Sequence, residues 1–398
     1  MKTESPHPHN RYSVTGRLLV DGRLVAGALV VEGERIVEVR TDVAGELPGP
    51  RLDAAIVSPG LVDLQCNGAF GFEVGGSATA LRVLAERLPE TGVTTFLPSV
   101  VSAGPARYRD AAAAFAAART APGAAAIGLH LEGPLLSPAR AGAHDPQPIA
   151  TAEATLDDVL DELLTTRAIR LITLAPERRG ALVLIRRLVD AGVTVSLGHT
   201  DATFDQMIAG AEAGATLATH LYSAMSPFHH RAPGAVGAAL TDERLTVTLI
   251  ADGVHAHPAA LNLALRAKGA GRVALVTDAV AAAGAPAGKY ALGGQTIVSD
   301  GESARLEDGT LAGSTLTLDR AVRVMVALGG ARLEDALAMA STVPATVLGL
   351  GDRGRLEVGR RADLVLWSET LEIVSTVVGG AVVSPDSRRD SAAPSRTP

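Results

Sequence analysis

Hydrophobic positions along this chain follow two rhythms. Short, uncharged, β-branched runs alternate with longer stretches whose apolar residues recur at helical spacing. The pattern is clearest in residues 191–225. There Ala-Gly-Val-Thr-Val-Ser-Leu-Gly-His leads into a helical segment, followed by Ala-Gly-Ala-Thr-Leu-Ala-Thr-His. Each run opens on glycine, carries no charge and ends in a histidine, His199 or His220. Runs of this kind read as strands buried on both faces of a parallel sheet.

The same alternation extends both ways. Strands are expected at 61–65, 92–97, 127–131, 169–174, 245–251 and 273–277, and helices at 81–88, 105–119, 155–164, 178–190 and 261–268. Glycine recurs at the helix-to-strand turns as Gly92, Gly192 and Gly214, where a helix C-cap needs a left-handed residue. About eight βα units result, the number that closes a (β/α)8 TIM-like barrel.

The ends have a different rhythm. Runs at 17–20, 28–31 and 35–39 are split by Asp21-Gly22 and Glu32-Gly33, which are hairpin signals. Short strands return at 362–367 and 373–378, after helices at 314–328 and 333–339. The predicted organisation is a barrel over 56–351 with a small discontinuous β-sandwich domain from 12–55 and 352–383. Residues 1–11 and 384–398 read as polar, disordered tails. The Gly- and Pro-rich stretch 284–313 reads as a β excursion that could serve as a lid.

Composition narrows the partners. With 398 residues and 47% apolar content the chain can bury a large core. A net charge of −7 gives no reason to expect nucleic acid or an anionic membrane as partner. The apolar runs are too short for a membrane span, and no basic start precedes an apolar signal core. The single cysteine, Cys66, excludes an internal disulfide and fits a reducing, cytoplasmic setting.

The chemistry gathers where barrels of this type keep it, at the C-terminal ends of the strands. Either histidine alone reads as well as a core side chain held by backbone partners. Two at equivalent points, with Glu132 at a third strand end, form a set that suits zinc with one position open for water. Asp278, after the last strand, could exchange a proton with that water. Taken singly, Glu132 also reads as a helix-start carboxylate and Asp278 as an N-cap. His144, His255 and Arg231 lie in loops on the same rim. In the first strand, alternation puts Asp63, Gln65 and Asn67 on one side and Cys66 on the other.

Several ordered motifs then point the same way: His-Leu-Glu-Gly-Pro at 130–134, Gly-His-Thr at 198–200, Thr-His-Leu-Tyr-Ser-Ala-Met at 219–225, Arg-Ala-Pro-Gly at 231–234, Ala-Asp-Gly-Val-His at 251–255, Val-Thr-Asp at 276–278 and Leu-Ala-Gly-Ser-Thr at 311–315. Together they resemble the N-acetylglucosamine-6-phosphate deacetylases of the amidohydrolase superfamily, over about residues 16–380.

The resemblance implies Glu132, His199 and His220 as ligands of one divalent metal per subunit, zinc first, with Fe2+, Co2+ or Mn2+ as alternatives. It implies Asp278 as catalytic acid/base, with His144 assisting at the oxyanion. It implies substrate contacts at Ala143, His144, Ser223, Ala224, Arg231, Asp252, His255, Leu311, Ala312, Gly313 and Ser314, with Arg231 on the 6-phosphate. A homodimer or homotetramer is implied, in which a neighbouring subunit can complete the site. Gln65 and Asn67 stand where many superfamily members place the His-x-His of a second metal. Ser223 replaces the family's usual asparagine; its hydroxyl is shorter than an amide. The expected reaction is deacetylation of N-acetyl-D-glucosamine 6-phosphate in amino-sugar catabolism or cell-wall recycling. The alternatives are a related amidohydrolase acting on N-acetylgalactosamine 6-phosphate or another amide, and a barrel that has lost catalysis and serves as a binding partner.

Overall fold

Eight of the buried apolar runs form the parallel strands of a single closed sheet. In this computed structural model, which describes residues 11–41 and 45–383, they are β1 (Leu61–Cys66), β2 (Val93–Val101), β3 (Leu129–Glu132), β4 (Ile169–Leu174), β5 (Thr194–Leu197), β6 (Leu217–Ala218), β7 (Thr246–Ile250) and β8 (Val273–Val276). Neighbours pair in chain order from β1 to β8. The ring closes where Asp278 N donates to Gln65 O at 3.0 Å and Asn67 N to Ala279 O at 2.8 Å. Strands such as β8 are buried at every residue, because helices cover the outer face and side chains fill the interior.

The helices keep an apolar face toward this sheet. Ala181–Asp190 buries Ala181, Ile185 and Leu188, spaced as one helical stripe. Phe204–Glu212 starts at a capping box, in which Thr203 accepts from Gln206 N and Gln206 from Thr203 N. Gly92, Gly192 and Gly214 have φ of 80°, 78° and 115°, the left-handed turns expected at the helix-to-strand joints.

A second, seven-stranded sheet combines both ends of the chain. Its order is Ala381–Val383, Ile373–Val378, Leu364–Trp367, Arg51–Pro59, Arg11–Val20, Arg23–Glu32, Arg35–Arg40. Its two wings share a core that includes Val14, Leu29, Ile36, Leu364 and Val377. Trp367, fully buried, belongs instead to the barrel's core and ties the two units together. Among the described residues no helix is long and apolar enough to cross a membrane.

Four expectations need correction. The expected tails lie outside the described residues, except Arg11, which opens a strand. The strand Arg51–Pro59 runs past residue 56, where the barrel was expected to begin. Pro146–Thr155 is helical, started by Pro146 and capped by Asp145, ahead of a separate helix at Asp157–Thr165. The helix expected from 314 starts at Leu318. Ser314 is held extended, its N–H on Asp278 O at 2.8 Å and its hydroxyl on Thr277 O at 2.5 Å. The excursion does form a three-stranded sheet, Gly288–Leu292, Gln295–Ser299 and Ala304–Arg305. It is anchored to the rim by Gly293 N on Glu73 Oε1 at 2.7 Å and Gln295 Nε2 on Ala143 O at 2.5 Å.

Candidate active site

The C-terminal mouth of the barrel opens into a cavity of about 460 Å³. Glu132 at the end of β3, His199 after β5, His220 after β6 and Asp278 after β8 all reach its floor, and all are buried. His199, His220 and Asp278 have φ of 46°, 31° and 47°. A left-handed backbone is costly for residues with a Cβ, and its concentration here is the signature of side chains held in place for function.

The donor atoms converge. His220 Nε2 lies 3.1 Å from Glu132 Oε1 and 3.1 Å from His199 Nε2. His199 Nε2 is 3.3 Å from the same carboxylate oxygen, and His144 Nε2 is 3.5 Å from Glu132 Oε2. Glu132, His144 and His199 have ligand atoms all within 4.8 Å of one another, so proximity alone offers two overlapping metal sets.

Hydrogen bonding separates them. His199 Nδ1 faces the carbonyl of Arg140 at 2.9 Å and must carry its proton, which leaves Nε2 a free lone pair. His144 Nδ1 accepts from Ser102 N at 3.0 Å. A neutral His144 therefore carries its proton on Nε2 and acts toward the cavity as a donor, not a ligand. Burial and the charge of His199 lower the His144 pKa and favour that neutral form. His220 Nδ1 is buried without a partner. The nitrogen and oxygen lone pairs of His199, His220 and Glu132, crowded at about 3 Å, repel unless a cation or proton sits among them. Two imidazoles and one carboxylate suit a borderline divalent ion.

Glu132 is stabilised in its charged form. Burial alone would raise its pKa, but the bonds with His144, His199 and His220 outweigh this and hold it well below the carboxylate range. Asp278 behaves oppositely. Burial and the charge of Glu132 push it up to about 8. Gln65 Nε2 bridges the two carboxylates, donating to Glu132 Oε1 at 2.8 Å and to Asp278 Oδ1 at 3.0 Å. Asn67 Nδ2 donates to Asp278 Oδ1 at 2.6 Å.

Other expected residues divide into two groups. Ala143, His144, Ser223, Ala224, His255, Leu311 and Gly313 line the cavity. Asp252 stands behind His255, its Oδ2 2.7 Å from His255 Nδ1. Direct contact expected of Ala312 and Ser314 is not seen. Alternation along this extended stretch turns both away, and Ser314 spends its hydroxyl on Thr277 O. Arg231 is exposed beside His230 and is not among the described cavity-lining residues. Arg140, Tyr222 and Leu292 line the wall unforeseen. Arg140 and Tyr222 flank the histidine motifs closely enough that loop proximity could have flagged them; Leu292 carries no such signal.

A closed barrel with a buried Glu/His/His cluster and a separate raised carboxyl at its mouth defines a metal-dependent hydrolase. The amidohydrolase family profile matches residues 56–383, and the chain belongs to that family. Its relatives fall in the branch that deacetylates amino-sugar phosphates. The N-acetylglucosamine-6-phosphate deacetylase of Bacillus subtilis is 38% identical over 335 residues, 82% of this chain and 84% of the relative. The N-acetylgalactosamine-6-phosphate deacetylase of Escherichia coli O157:H7 is 40% identical over 337 residues, covering 83% and 89%. A Mycobacterium smegmatis N-acetyl-D-glucosamine-6-phosphate deacetylase variant, solved with N-acetyl-D-glucosamine-6-phosphate bound, superposes with a TM-score of 0.87 at 35% identity, covering 94% of this chain and 100% of that one.

Proposed function

We propose that this chain hydrolyses the acetamide of N-acetyl-D-glucosamine 6-phosphate, releasing acetate and D-glucosamine 6-phosphate. The observation that carries this reading is the pairing, on one cavity floor, of a cation-ready Glu132/His199/His220 cluster with a raised Asp278 carboxyl. One divalent ion per chain, zinc first and Fe2+, Co2+ or Mn2+ as alternatives, would be held by Glu132 and the Nε2 atoms of His199 and His220. When bound, it supplies Lewis-acid polarisation and acidifies the attacking water.

The chain's own residues do the rest. Asp278 takes a proton from the attacking water as its oxygen bonds to the acetyl carbon. The carbonyl π pair moves onto oxygen, and the Nε2–H of His144 donates to that developing charge. The C–N bond then breaks, and Asp278 returns its proton to the leaving amine. A carboxyl whose pKa lies near neutrality suits both transfers.

The 6-phosphate needs a cation. His255, oriented by Asp252, offers its Nε2. Arg231 lies off the cavity of its own chain, so we assign it to a neighbouring copy's site in a homodimer or homotetramer. The single cysteine supports a cytoplasmic setting. Acetate release tests the reading. Wild-type protein should turn over N-acetylglucosamine 6-phosphate and be far slower on N-acetylglucosamine. Equal rates on both sugars, or no release from either, would contradict it.

A further inference from the structure

Asn67 has a side-chain atom for which the roles assigned so far give no use. The residue is 3% exposed and lines the cavity. Its Nδ2 donates to Asp278 Oδ1, which fixes the amide orientation, because a carboxylate oxygen can only face the NH2 side. Its Oδ1 therefore points elsewhere, and among the described residues this buried oxygen has no hydrogen-bond partner. A buried amide carbonyl is rarely left alone; it is met by an ordered water or a ligand donor. Since Asn67 lines the cavity, the donor must come from there.

Asp278 narrows what the donor is. Its Oδ1 already accepts two N–H groups, from Asn67 at 2.6 Å and Gln65 at 3.0 Å. Oδ2 is left to receive a proton. An attacking water has two O–H bonds and must aim a lone pair at the acetyl carbon. One O–H points to Asp278 Oδ2. The other needs an acceptor on the same floor, and Asn67 Oδ1 is a buried acceptor beside Asp278 with nothing else to accept.

We propose that Asn67 Oδ1 accepts a hydrogen bond from the second proton of the attacking water, so that Asn67 and Asp278 together aim the nucleophile. The inference rests on the deacetylase reading and makes Asn67 a catalytic residue, since it touches a reacting atom. The proton balance is complete. One water proton passes to Asp278 Oδ2 and then to the amine. The other stays on the new hydroxyl, hydrogen-bonded to Asn67, and leaves with acetic acid, which ionises in solution.

The direct test is a crystal structure of the zinc-loaded wild-type protein without substrate. It should show an ordered water within about 2.6–3.2 Å of both Asn67 Oδ1 and Asp278 Oδ2. Asn67→Leu should lack that water, keep its zinc, hold KM within about threefold and lose about 100-fold in kcat, as expected for a misplaced nucleophile. Asn67→Ser provides the same comparison if the leucine variant does not fold. No water at Asn67, or a raised KM with unchanged kcat, would overturn the inference; the latter would make Asn67 a sugar contact. If wild-type protein turns over the sugar phosphate and the variants match it, this inference alone fails. If wild-type protein releases no acetate, the deacetylase reading fails and takes this inference with it.

Discussion

The mouth of the barrel and the seven-stranded sheet beside it use buried polar groups in opposite ways. In the sheet, polar groups find partners within the chain. Trp367 Nε1 donates to Ser58 Oγ at 2.9 Å, and Thr376 Oγ1 to Pro89 O at 2.7 Å. Asp363 is enclosed by Arg361 Nε at 3.1 Å and Gly379 N at 2.7 Å. At the mouth, two ring nitrogens and a carboxylate oxygen crowd together, Asn67 Oδ1 and His220 Nδ1 have no partner, and three non-glycine residues adopt left-handed backbone. The sheet is complete as folded. The mouth is complete only with something added, and that incompleteness marks it as the working end.

The contrast can be broken from either side. Asp278→Asn should have the largest effect, a loss of about 10⁴-fold in kcat/KM with metal content unchanged; near-normal turnover would remove Asp278 from the reaction. Trp367→Ala should act on the other region alone. It should cost about 3–5 kcal/mol of stability, read by denaturant unfolding, with kcat preserved in the protein that remains folded. His144→Gln should lower kcat by about 10²–10³-fold and keep the metal. Loss of the metal would instead place His144 among the ligands.

A smaller, pH-dependent effect sharpens the comparison. In chelator-stripped protein the Asp278 pKa is raised to about 8 from an ordinary 3.8. A carboxyl raised in this way binds more protons folded than unfolded. Its contribution favours the fold below pH 3.8 and is lost as pH rises toward 8, by up to about 1.4 kcal/mol per pH unit. Stripped Asp278→Asn should therefore gain Tm over stripped wild type as pH rises through this window, with the gap closing near pH 4. A gap that does not vary with pH would mean that Asp278 is not held protonated.

Much of the barrel is legible in the chain because its signals are local. Charge-free β-branched runs such as Ile169–Leu174 and the glycines at 92, 192 and 214 each act through their own backbone. Glu132, His199, His220 and Asp278 stand out because each follows such a run. What escapes is set by distant backbone groups. The carbonyl of Arg140 fixes the His199 tautomer, and the amide of Ser102 fixes that of His144. No spacing rule links these pairs. The extended path of residues 314–317 escapes for the same reason: Asp278 and Thr277, far back in the chain, hold Ser314 out of a helix that its own neighbourhood favours. Alternation then decides that Leu311 and Gly313 face the cavity while Ala312 and Ser314 do not.

The central claim is that Glu132, His199 and His220, and not His144, hold one divalent ion at the barrel mouth. Anomalous diffraction at the zinc edge from zinc-loaded crystals tests it most directly. The account predicts one peak per chain within bonding distance of Glu132 and of Nε2 of His199 and His220, with His144 Nε2 outside the coordination shell. A peak bonded to His144 in place of His220, or no peak on the cavity floor, would contradict it.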